Sequence, residues 1–168
     1  MPNVTVEDLI NRYDLKPHPE GGYYQETYRA EGTIAEEALP KNFKGDRNWS
    51  TAIYFLLPEG AKSKLHRLAA DEVFHFYLGG PLTIAQIFPD GKVEKTVLGP
   101  DVKAGHKPQH VVPAGCWFGA TPNPGSRFSF IGTTVAPGFD FADFELGSRL
   151  ELLKQFPKAK EIIELLGH

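Results

Sequence analysis

Gly60-x5-His66-x-Leu68-x3-Glu72-x6-Gly79 is the stretch on which the fold turns. Two glycines bracket a segment in which a histidine precedes a carboxylate. After Glu72 come Val73-Phe74-His75-Phe76-Tyr77-Leu78, the aromatic and β-branched composition of a strand. Successive side chains of an extended strand face opposite ways, so Glu72, Phe74, Phe76 and Leu78 share one face, and Val73, His75 and Tyr77 the other. If Glu72 points into a pocket, His75 points away from it and reads as an interface or structural histidine. A second glycine-punctuated stretch lies downstream, Pro113-Ala114-Gly115-Cys116-Trp117-Phe118-Gly119.

Around these two stretches the chain alternates apolar runs with turn signals. Strands are predicted over residues 51–57, 73–78, 82–88, 92–98, 110–112, 117–120 and 128–135, at the spacing of an antiparallel sandwich. Pro89-Asp90-Gly91 is the clearest hairpin turn, because Asp-Gly supplies the positive backbone angles such turns need. The succession reads as a meander. Upstream, Thr5 caps a helix predicted over residues 5–13, and residues 23–28 form a strand after the Glu20-Gly21-Gly22 bend. Residues 31–48 read as a polar loop. Leucines and isoleucines after Leu150 recur at helical spacing, interrupted at Pro157.

Length and composition narrow the class. A chain of 168 residues supports one domain over 1–168 and one core. With 17 glycines, 14 prolines and 12% aromatic residues, an all-β, turn-rich architecture fits best. The 18 basic and 21 acidic residues are distributed along the chain, with no basic stripe for a phosphate backbone, so nucleic acid is not an expected partner. No apolar run approaches a membrane span, and the N-terminus lacks a signal-peptide pattern, so a soluble, cytoplasmic protein is expected. Cys116, the single cysteine, has apolar company and reads as a small buried hydrophobe.

The glycine punctuation and the motif order resemble the cupin superfamily. Four phrases, Pro17-His18-Pro19-Glu20-Gly21-Gly22-Tyr23-Tyr24, residues 75–82, residues 112–120 and residues 136–145, resemble its single-domain branch of unknown function, cupin 5. The resemblance implies a cupin jelly-roll β-sandwich or barrel with short N-terminal and C-terminal helices. It also implies a homodimer related in shape to nucleotide-sugar 3,5-epimerases and to seed-storage and auxin-binding cupins. In the superfamily these motifs supply three imidazoles and a carboxylate to a divalent metal. Here Leu68 and Phe118 stand at two imidazole positions and only His66 and Glu72 remain, so a metal is not favoured, and no cofactor is identified.

The leading reading is a small organic ligand in the barrel, with His66 and Glu72 as polar anchors and Phe74, Phe118, Tyr54 and Gln109 among the contacts. An alternative makes the chain an epimerase or isomerase acting on a sugar nucleotide or related carbonyl compound. There His66 is the general base, Glu72 its partner, and Tyr54 or Tyr77 the acid. A diphosphate would then need cations, for which Arg29, Arg47, Lys64 and Arg67 are candidates. A third reading, a metal-dependent enzyme, would recruit Gln109, His110 or His106. The bland reading makes His66 a histidine satisfied by backbone groups, Glu72 a partner of Arg67, Glu20-Gly21-Gly22 a structural turn and Glu145 a solvated edge. Asp140 or Asp143 is a further carboxylate candidate.

Overall fold

The computed structural model describes residues 4–168. Two antiparallel sheets pack face to face. The larger runs, in spatial order, β1 (Lys16–Pro17), β2 (Tyr23–Arg29), β5 (Thr51–Pro58), β12 (Phe128–Ala136), β7 (Asp71–Gly79) and β10 (Gln109–Val112). The smaller runs β13 (Glu145–Leu146), β6 (Ser63–Arg67), β11 (Trp117–Pro122), β8 (Leu82–Ile87) and β9 (Val93–Leu98). From β5 to β8 the chain changes sheet at every step. The topology is therefore a jelly roll, and the meander expected from strand spacing is corrected.

Residues 31–48 are not a plain loop. They carry β3 (Thr33–Ile34) paired with β4 (Arg47–Asn48), and a 3-10 turn at Glu36–Ala38. β6, which holds His66, was not among the expected strands. Its alternation is broken by a bulge, so period-2 patterning cannot find it: Phe118 pairs with His66 while Ala120 pairs with Ser63, leaving one extra residue on β6.

Phe55, Leu57, Phe74, Leu82, Ile84, Leu98, Phe118 and Ile131 belong to the main core cluster, in which both sheets take part. Burying a side chain of this size contributes roughly 1.5–3 kcal/mol. Two satellite clusters cover other faces. α1 (Val6–Tyr13) begins with a reciprocal cap between Thr5 and Asp8 and buries Leu9 with Leu56 and Phe130 of the larger sheet. α2 (Arg149–Gln155) and α3 (Lys160–Leu166), separated by the turn at Pro157, place Leu152, Ile163 and Leu166 with Leu65, Ile87 and Trp117 of the smaller sheet. The apolar period of the C-terminal residues thus follows this packing.

Candidate functional site

The inner face of the larger sheet is a lattice of cross-strand rows. Arg29, Thr51, Val135 and Glu72 form one row; Glu26, Ile53, Thr133 and Phe74 form the next. Glu26 and Arg29 differ by three positions, yet share a face because β2 carries a bulge between Glu26 and Tyr28. These rows form one wall of a cavity of about 450 Å³, within the range of small-molecule sites. His66 and Leu68 line it from the smaller-sheet side. His18, Glu20 and the aromatic segment 139–144 complete it.

Four titratable side chains gather here. The bulge in β6 puts Ser63 and His66 on one face, and both meet Glu20. The Ser63 hydroxyl donates to Glu20 Oε1 at 2.7 Å, and Glu20 Oε2 lies 3.1 Å from His66 Nε2. His66 Nδ1–H donates to the Lys64 carbonyl at 2.7 Å, which pins the tautomer and leaves Nε2 as the basic nitrogen. His18 has the opposite tautomer, because its Nδ1 accepts the Glu20 backbone N–H at 3.2 Å. Glu72 accepts a hydrogen bond from the Thr133 side chain.

Burial governs the charges of this cluster. His66, Glu20 and Glu72 are 2%, 8% and 8% exposed. Burial lowers the His66 pKa, an effect opposed by Glu72 and the Lys64 carbonyl. Burial also raises Glu20, against the pull of His18 and Ser63. Both shifts favour the neutral forms, with the shared proton on Glu20 Oε2 donated to His66 Nε2. Glu72 is raised to about 7, again by burial first, with His66 lowering it and Glu20 raising it further.

The expected site residues divide. His66, Glu72 and Phe74 line the cavity. Phe118 does not: it sits behind His66, 2% exposed, with ring centroids 4.1 Å apart, and backs the imidazole instead of forming a wall. Tyr54 faces the other way, because Ile53 and Phe55 take the inward positions of β5. It packs on Tyr13, Tyr77 and Phe130, so neither Tyr54 nor Tyr77 is a cavity acid. Gln109 pairs with His75 across β10 and β7 on the outer face, where its amide donates to His75 Nδ1 at 3.2 Å. His75 Nε2 also meets the Thr134 hydroxyl at 3.0 Å, in keeping with the strand-parity reading. Leu78 departs from that reading, because a bulge turns it outward opposite Phe130.

Other candidates lie elsewhere. His110 bonds Gln86, and His106 accepts from the Asp101 backbone N–H. Asp143 forms a buried ion pair with Arg47 at 2.7 Å, whereas Asp140 lines the cavity. Arg67 binds Glu145 at 2.6 Å and lies over Trp117, so it is not the partner of Glu72. Cys116 is buried, and burial raises its thiol pKa, which suits a core role.

Sequence reading missed His18, Glu20, Tyr24, Glu26, Thr133 and the aromatic trio Phe139, Phe141 and Phe144. The signal for His18 and Glu20 was the Pro17–Tyr24 phrase itself, in which two titratable residues flank a proline before two glycines.

The donor set does not fit the metal of the superfamily pattern. Two of its four positions hold the hydrocarbon side chains Leu68 and Phe118, and His66 Nε2 is engaged by Glu20. Among the described residues no three His, Cys, Asp or Glu side chains form a metal-binding group. No helix among them is long and apolar enough to cross a membrane.

A jelly roll whose cavity holds His66 and Glu72 at cupin motif positions, joined by His18 and Glu20 from outside the motifs, defines a cupin-like class. The chain belongs to the Cupin superfamily (DUF985), whose pattern matches residues 7–147. It is 32% identical to an uncharacterized protein of Saccharomyces cerevisiae, over 98% of this chain and 86% of that one. Among solved structures it is similar to a protein from Shewanella oneidensis (39% identity, TM-score 0.88, 98% of each chain). It is also similar to a hypothetical protein from Leishmania major (31%, TM-score 0.89, 98% of this chain and 99% of that one). Oxalate decarboxylase from Bacillus subtilis shares the fold alone, at 16% identity and TM-score 0.53 over 89% of this chain and 36% of that one.

Proposed function

We propose that this cupin binds a small organic molecule in its cavity, with Glu72 and the His66–Glu20 pair reading its polar group and aromatic side chains holding its apolar body. The observation that carries this reading is the cavity itself. It has about 450 Å³ of space, walls of Tyr24, Phe74, Phe139, Phe141 and Phe144, and a few convergent polar groups. The test is a soluble fragment set titrated into labelled protein and followed by NMR. Expected are shifts at His66, Thr133 and residues 139–144, lost in Ile53→Trp, which puts an indole into the cavity. Hits that shift only other surfaces, or that survive Ile53→Trp unchanged, would sink the reading.

A second reading, an isomerase-type acid–base reaction on an uncharged carbonyl compound, is favoured by one observation: the tautomer of His66 is pinned while Nε2 shares a proton with Glu20. It predicts solvent deuterium in the recovered ligand. A sugar nucleotide is less well supported, since Arg47 and Arg67 are bound to Asp143 and Glu145, and Arg29 is held by Glu26. We also propose that two copies pair through the outer face of the larger sheet, where Tyr77, Leu78 and Val111 are 41–49% exposed beside the edge strand β10.

A further inference from the structure

The ionisable lining of the cavity is one-sided. The carboxyl groups of Glu20, Glu26, Glu72 and Asp140 face a single arginine, Arg29, and no lysine among the described residues. Arg29 is already occupied. Its Nε and Nη2 donate to the Glu26 carboxylate at 2.9 and 2.8 Å, Nη1 to Asn48 Oδ1 at 2.7 Å, and Nη2 to the Phe139 carbonyl at 3.0 Å. Glu26 is thereby matched, and Glu20 is matched by His66. Glu72 has the Thr133 side chain but no arginine or lysine ion pair among the described residues. An anionic ligand would meet carboxylates without a free guanidinium to receive it.

The apolar lining has the complementary character. Phe139, Phe141 and Phe144 pack mutually edge to face, with interplanar angles of 81°, 72° and 70° and centroid separations of 5.0–6.4 Å. They make an aromatic corner on the cavity, and Phe144 also stacks near the His66 ring at 5.3 Å. Ring faces carry negative electrostatic potential and attract cations. Carboxylates and rings together reject negative charge and welcome positive charge.

We propose that the ligand is an organic cation, a substituted ammonium on an apolar or aromatic body, with the ammonium against Glu72 and the body on the corner of Phe139, Phe141 and Phe144. This assignment rests on the ligand-binding reading and names its substrate class.

The test uses the full chain at pH 7.5 and three matched compounds: 2-phenylethylamine (a cation), 2-phenylethanol (neutral) and phenylacetate (an anion), each titrated by NMR. A charge-assisted contact with Glu72 should make the amine bind about tenfold tighter than the alcohol. Phenylacetate should bind most weakly. Glu72→Gln should abolish the amine's advantage over the alcohol, bringing the ratio of their affinities to about one. Phe141→Ala, at a half-exposed position that the core does not need, should weaken the amine independently. An alcohol or phenylacetate that binds as tightly as the amine overturns the cation assignment, as does an amine preference that survives Glu72→Gln; in either case ligand binding itself stands. If none of the three binds but neutral or anionic fragments do, the assignment alone falls. If nothing enters the cavity, both readings fall.

Discussion

Burial raises the Glu72 carboxyl from its ordinary 4.5 to about 7, and this single group links the cavity to stability. Between those values the folded chain holds a proton that the unfolded chain has lost, so folding stability falls as pH rises through that window. Glutamine keeps the shape and cannot ionise. Glu72→Gln should therefore match the native protein near pH 4 and exceed it at pH 8 by on the order of 3 kcal/mol, measured as the denaturant midpoint across pH. An offset independent of pH would place the raised pKa elsewhere. His66 and Glu72 were legible in the sequence because motif spacing marks positions along a strand. Their partners were not. Glu20 reaches His66 from a turn 46 positions away, a proximity that no local pattern encodes.

At the scale of elements, the decisive unit is the turn over residues 18–22, read from sequence as a structural bend and found to deliver half of the acid–base cluster. It is docked on β6 by the Lys64 N–H, which donates to the Glu20 carbonyl at 2.8 Å, and by Ser63 on the Glu20 side chain. Gly21 sits at φ +115°, and a Cβ there would come 2.1 Å from the Lys62 carbonyl oxygen. The left-handed angle and the close approach both demand glycine. Gly21→Ala should cost about 1–3 kcal/mol and shift the His66 imidazole resonances as Glu20 withdraws. An unchanged unfolding midpoint with unchanged His66 signals would refute the role given to this turn. Bulges matter at the same scale. Three of them, in β2, β6 and β7, re-aim Arg29, Ser63 and Leu78, and each defeats simple alternation.

For the whole molecule, helices cover the outer face of the smaller sheet and α1 covers part of the larger, while the area around Tyr77 and Val111 is left open. Pairing of two copies there predicts a dimer by sedimentation velocity at micromolar concentration. Tyr77→Lys combined with Val111→Lys should yield a folded monomer, because both side chains point outward and neither is part of the core clusters. A native chain that sediments as a monomer at all concentrations would refute the pairing. The variant also separates assembly from ligand binding, since the cavity lies on the opposite face of that sheet.

Composition and periodicity were enough to establish an all-β chain with a helix at one end and helices at the other, because alternation and helical spacing are local properties. Glycine punctuation and motif order pointed to the cupin fold for the same reason. Which side chains share the cavity was decided by tertiary structure alone. Sheet changes and bulges determine facing, and they bring His18 and Glu20, His66 and Glu72, and the Phe139–Phe144 segment together from parts of the chain that are far apart in sequence.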